Sequence, residues 1–170
     1  MEKKIIATIG RQFGSGGRDI GRKLADILGI AFYDKELMSI AAKESGLSTE
    51  IFEQADEQAA KGFSNIFPMG FTNMGIFIPS NDLLSNEKLF ELQSNAIRII
   101  AEKESCVLVG RCADYILRDN PACQSFFIHS NEETRIRRIM KRQQVAEAPA
   151  NELMIKTDKN RASYYNYYTN

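Results

Sequence analysis

At 170 residues the chain has room for one domain with a sizeable core, and its 22 Lys+Arg against 22 Asp+Glu leave no net charge. That balance argues against a nucleic-acid or anionic-membrane coat, and no apolar run approaches the roughly 18 residues a membrane span needs. Three scattered cysteines (Cys106, Cys112, Cys123) with no C-x-x-C pair argue against a disulfide framework and a zinc site, and Met1 to Lys4 lead into an apolar run too short for a signal-peptide core, so the expected location is cytoplasmic.

The first apolar run, Ile5 to Ile9, is β-branched and reads as a buried strand. Glycines then crowd positions 10, 14, 16 and 17, and Ile20, Leu24, Ile27 and Leu28 follow at helical spacing up to Gly29. Strand, glycine-rich turn and helix in that order make an anion cradle: backbone N–H groups can approach phosphate oxygens, with the positive end of the helix dipole behind them. Neither common fingerprint is met in full. G-x-x-x-x-G-K-[ST] fails because Arg18 and Asp19 follow Gly16-Gly17, and G-x-G-x-x-G fails because Asp19 stands where its last glycine belongs. For a triphosphate-binding loop, Arg18 is the best substitute cation, and Asp19 stands where a magnesium-binding hydroxyl is normally found. A plain turn that packs a helix onto a sheet is the other reading.

Beyond Gly29, Ile30 to Phe32 is a short strand leading into Tyr33-Asp34-Lys35-Glu36. Helical spacing returns at Leu37 to Ala41 and again, after a Ser48 cap, at Ile51 to Ala55, whose acidic face reads as solvated. Residues 62–86 are apolar without a clean period, which fits an insertion folded over a site, an interaction surface or a packed loop. Leu89 to Ile100 mark a long amphipathic helix. Cys106 to Val109 is a buried strand ending in Gly110-Arg111, and Ser125 to Ile128 is another, followed by His129, the only histidine, for which a structural role is expected. Ser130 to Glu133 has capping-box spacing and opens a helix carrying Arg135, Arg137, Arg138, Lys141 and Arg142. Four tyrosines crowd residues 164–168, where packing or partner docking is favoured over base stacking.

Strands alternating with helices predict an α/β doubly wound parallel sheet with flanking helices, in a single domain over 1–170, with ligands beyond the carboxyl ends of the strands. The loop, Asp34, Gly110-Arg111 and His129-Ser130 each follow a predicted strand, as that rule requires.

In this order the segments resemble the nucleoside monophosphate kinases, and most closely the cytidylate kinase-like family, over nearly the whole chain. The motifs are the loop Gly10 to Arg18, Tyr33-Asp34-Lys35-Glu36, Gly110-Arg111-Cys112-Ala113-Asp114, the basic helix from Arg135 and Asp158-Lys159-Asn160-Arg161. The resemblance implies a P-loop-type kinase using ATP and Mg2+, with small-molecule nucleotides as partners, a helical acceptor-binding insert over about 35–86 and a mobile basic lid over about 135–161. It assigns ATP to Gly10, Gln12, Phe13, Gly14, Ser15, Gly16, Gly17, Arg18 and Asp19, with Asp19 a magnesium candidate through the nucleotide. Acceptor binding falls to Asp34, Lys35, Arg111 and Asp158, and catalysis to Arg18, Arg135, Arg138 and Arg161. The expected reaction is phosphorylation of CMP or dCMP to the diphosphate.

The chain departs from the family pattern in several places. Gly17 stands in place of the loop lysine, Val109 precedes Gly110-Arg111 where an acidic residue is common, and Ile40 stands where an arginine is expected. The family would also add a further strand and helix beyond residue 170. The missing lysine keeps open a nucleotide-binding regulator, or a kinase of another small acceptor, as alternatives.

Overall fold

The computed structural model describes residues 4–34, Ile40 and 86–169. The helices expected at 37–57, the apolar stretch up to residue 85, most of the expected insert and Lys35 lie outside the described residues.

The elements run β1 (Ile6–Arg11), α1 (Gly17–Leu28), β2 (Ala31–Tyr33), α2 (Asn86–Lys103), β3 (Cys106–Val109), α3 (Ala113–Ile116), β4 (Cys123–Ile128), α4 (Glu132–Gln143) and α5 (Glu147–Thr169). The strands form one parallel sheet in the order β2-β3-β1-β4, with Ile6 opposite both Cys106 and Cys123. β1 and β3 are central and covered on both faces, so they read as continuous apolar runs instead of alternating ones. Ala7, Ile9, Val107 and Val109 face α1, whereas Ile6, Cys106 and Leu108 face Ile97, Ile100 and Ala101 of α2 and the short α3. Buried Thr8, the polar exception in β1, donates to Ser125 Oγ at 2.9 Å.

α1 meets the sheet through a face that apolar periodicity did not indicate. Its buried residues are Gly17, Gly21 and Ala25, whereas Ile27 is 80% exposed and Ile20 and Leu28 are also exposed. A Cβ on Gly21 would come within 2.9 Å of Ile9 Cδ1 and 3.3 Å of the Phe32 ring, so the helix lies on the strands only because no side chain intervenes. Gly29 ends α1 as expected, its N–H directed at the Ala25 and Asp26 carbonyls.

Among the described residues β4 is the outermost strand on the β1 side, where Phe127 is 65% exposed and His129 just after it is exposed. The α4 cap falls one residue later than the Ser130–Glu133 spacing suggests. Asn131 is the N-cap, and its side chain accepts from the Thr134 N–H at 2.9 Å.

α5 was not assigned from sequence because its apolar residues serve two partners at its two ends. Ala150 and Met154 pack with Ile139 of α4. Tyr168 stacks on Phe90 of α2 with ring centroids 4.0 Å apart, and Tyr164 meets Tyr168 edge-on. No helix among the described residues is long and apolar enough to cross a membrane.

Leu108 is fully buried at the centre of the sheet. Leu108→Ala is expected to lower unfolding free energy by about 2–5 kcal/mol, the usual transfer-plus-cavity cost, read from urea denaturation.

Candidate active site

After Arg11 the chain turns through residues 12–16 into α1. The start of this loop is tied to β4: the Gln12 N–H donates to the Ile128 carbonyl at 3.1 Å, and Gln12 Oε1 accepts from the Ser130 N–H at 3.3 Å. Its middle is held by the last two helices. The Phe13 N–H donates to Asp158 Oδ1 at 2.7 Å, and the Phe13 carbonyl accepts from Arg135 Nε at 2.8 Å. The Arg135 guanidinium also pairs with Asp158 Oδ2, closing a ring of Phe13, Arg135 and Asp158 in which the Arg135 side chain is only 5% exposed. Gly14 has φ +77°, and a Cβ there would stand 2.8 Å from the Arg135 carbonyl, so only glycine lets α4 approach this closely. Arg138 Nη1 then donates to the Ser15 carbonyl at 2.7 Å, and Arg142 pairs with Asp19 in the first turn of α1.

Across the sheet, Asp34 follows β2 and is buried. It accepts from Arg18 Nε at 2.6 Å and faces Arg11 Nη2 at 3.7 Å. After β3, Gly110, Arg111 and Cys112 have φ of +77°, +59° and +54°. Left-handed backbone is costly for two consecutive non-glycine residues, and such strain concentrates where a binding geometry demands it.

The carboxyl ends of β1, β3 and β4 and the inner side of α5 enclose a cleft of about 810 Å³. Arg11, Arg111 and Arg161 line it together with Phe127, Tyr164 and Tyr165. Arg161 Nη1 donates to the Arg11 carbonyl at 3.3 Å, and its guanidinium lies 5.5 Å from the centre of the Phe13 ring. The Tyr165 hydroxyl donates to Asp114 at 2.8 Å; burial and that bond push its pKa up to about 12, so it stays a donor. Burial likewise pushes the Cys112 thiol up to about 12, which removes it as a nucleophile at neutral pH. Arg11 is shifted the other way, down to about 10, by burial first and then by Arg161, with Asp34 opposing. Burial also lowers Arg161, against Asp158 and Asp34.

The loop residues Gly10 to Gly17 thus stand beside Arg111, Arg138 and Arg161, as the motif order suggests. Four other candidates are engaged with side chains or loop backbone. Arg18 pairs with Asp34 beyond β2, Asp19 is taken by Arg142, and Arg135 and Asp158 are bound to each other and to Phe13. Arg11 is not among the sequence candidates, although as the last residue of β1 it meets the same strand-end rule as Asp34 and Arg111.

The loop suits a nucleotide's phosphates: a Cβ on Gly16 would meet nothing nearer than Arg138 Nη1 at 3.6 Å, so its backbone lies open to a ligand that this guanidinium can reach. For magnesium, no group of three or more metal-ligating side chains occurs among the described residues. The Arg135–Asp158 pair has its own energetic signature. Asp158→Ala leaves a buried guanidinium with only the Phe13 carbonyl, and is expected to cost about 3 kcal/mol in urea unfolding, with Arg135→Met/Asp158→Ala costing less than the sum of the single changes.

Comparison with known proteins agrees with this geometry. The cytidylate kinase-like family model matches residues 6–170. A crystal structure of an uncharacterized protein from Eubacterium ventriosum is 33% identical with a TM-score of 0.68, covering 97% of this chain and 78% of that one. A shikimate kinase from Bacteroides thetaiotaomicron shares the fold at 16% identity and a TM-score of 0.51, over 95% of this chain and 82% of its own. No curated protein matches. A parallel sheet in the order β2-β3-β1-β4, a glycine loop after β1 and a family match over almost the whole length place this chain in the cytidylate kinase-like family, with the α/β fold of the P-loop kinases.

Proposed function

We propose that the protein transfers the γ-phosphoryl group of ATP to a nucleoside monophosphate, CMP or dCMP foremost, giving ADP and the nucleoside diphosphate. The observation that carries this reading is that Arg111 and Arg161, from two elements, line one cleft with Gly10 and Gln12 of the glycine loop at the carboxyl ends of the strands, while Arg138 reaches the Ser15 carbonyl of the same loop. Phosphoryl transfer needs little covalent help. It needs donor and acceptor oxygens in line and cations around the three equatorial oxygens.

The amides at the start of α1 receive the donor's phosphates, with Arg138 above Gly16 as the nearest guanidinium. Arg111 holds the acceptor's phosphate with its planar fork, on the cleft wall that it shares with Arg11. Arg161 stands between the two, anchored to the Arg11 carbonyl, and faces the charge that develops as the P–O bond to ADP breaks. An acceptor phosphate is already an oxygen nucleophile at neutral pH, so no carboxylate has to remove a proton. Asp158 is consistent with that, since both its oxygens are occupied. Magnesium would enter on the nucleotide and neutralise phosphate charge, with Asp19 a ligand only on release from Arg142. Tyr164, Tyr165 and Phe127 give the cleft the apolar walls a base requires.

Incubation with ATP, magnesium and each nucleoside monophosphate in turn, together with small hydroxyl acceptors, tests the reading by chromatography of the products. Diphosphate from CMP or dCMP is expected. ATP binding with no product from any acceptor would assign the protein instead as a nucleotide-binding regulator. Arg111→Ala is expected to reduce kcat/KM for the acceptor by about 10²-fold or more while changing ATP affinity less than threefold. Equal losses on both sides would count against placing Arg111 at the acceptor.

A further inference from the structure

We propose that Arg11 is itself a ligand of the transferring phosphoryl group, the cation that this lysine-less loop presents from the end of β1. The inference rests on the kinase reading and adds a residue to its site. Arg11 sits between the two halves of the site. Its backbone is fixed opposite Ile128, and its carbonyl accepts from Arg161. Two glycines on different elements clear a path for its side chain. A Cβ on Gly17, at the start of α1, would come within 2.6 Å of Arg11 Cβ, and a Cβ on Gly110, after β3, would clash with Arg11 Nη1. The stem therefore starts against the donor loop and the head ends over the acceptor strand, which spans the line that a phosphoryl group travels.

The head is also under-neutralised. Among the described residues its one ion pair is the 3.7 Å contact to Asp34, whose other oxygen is held by Arg18 at 2.6 Å. Arg161, Arg111 and Arg18 all act on it as like charges. Three like charges against one carboxylate at 3.7 Å make the head of Arg11 a place that an anion entering the cleft would favour. The fork geometry suits bidentate contact with phosphate oxygens, as a lysine at the same place would not.

The test uses the full chain with Arg11→Gln and Arg11→Lys. With ATP and CMP, Arg11→Gln is expected to lower kcat by about 10²-fold or more, with KM for each substrate changed less than fivefold. Arg11→Lys, which retains charge and stem, is expected to melt within a few degrees of wild type and to recover part of the rate. A kcat unchanged in Arg11→Gln, while the wild type turns over, overturns the proposal and leaves the kinase reading standing. If the wild type turns over no acceptor, the kinase reading fails, and calorimetric titration with inorganic tripolyphosphate decides about Arg11. Binding that is lost in Arg11→Gln and weakened in Arg11→Lys supports the anion site. Equal binding by all three, or none by the wild type, overturns it.

Discussion

The site depends on how a short glycine loop is held still. A lysine-bearing phosphate loop carries its own cation; this one is gripped from outside by α4 and α5. The Arg135–Asp158 pair closes on both the N–H and the carbonyl of Phe13, and α4 lies against Gly14 so closely that no Cβ fits. Arg138 and Arg142 continue the grip along Ser15 and Asp19. The segment over about 135–161, expected as a mobile basic lid, holds the loop in this structure through Arg135, Arg138, Arg142 and Asp158. Its guanidinium groups occupy loop carbonyls and a carboxylate whose surroundings a nucleotide would enter. Binding must then redistribute those hydrogen bonds, and the dense packing of Ile139, Ala150 and Met154 between the two helices keeps the redistribution local.

Electrostatics sets the second constraint. The chain is neutral overall, yet its arginines gather at one end of the sheet around few carboxylates. Asp34 is shared by Arg11 and Arg18, and Asp158 is consumed by Arg135. Burial already presses on Arg11 and Arg161, so both are better off with an anion beside them than without. That preference is a reason to bind phosphate, and it is built from positions on β1, on the turn after β3 and on α5 that no single motif links.

Much of this was legible in the sequence. The apolar runs of β1 and β3 and the glycine loop between β1 and α1 could be read directly, because central parallel strands leave no solvent face to blur their pattern. The α1 face could not. Its contact is made by glycines and an alanine, and periodicity sees bulk, not its absence. α5 escaped because its two ends pack on α4 and on α2, so no single stripe runs along it. In the site, motif order singled out Arg111, Arg138 and Arg161, of which Arg111 and Arg161 share the cleft and Arg138 reaches the loop. The Arg135–Asp158 clamp did not follow from that order, since 23 residues separate a pair that only the turn between α4 and α5 brings together. Arg11 was hidden by the glycines that make room for it.

Hydrogen exchange with and without ATP–magnesium tests most directly whether the gripped loop is the nucleotide's seat. The account predicts slowed exchange at the amides of residues 14–18, accompanied by a change along 135–142 as the arginines of α4 exchange loop carbonyls for phosphate oxygens. Exchange unchanged at the loop under saturating ATP would contradict it, because a phosphate held there must occupy those amides.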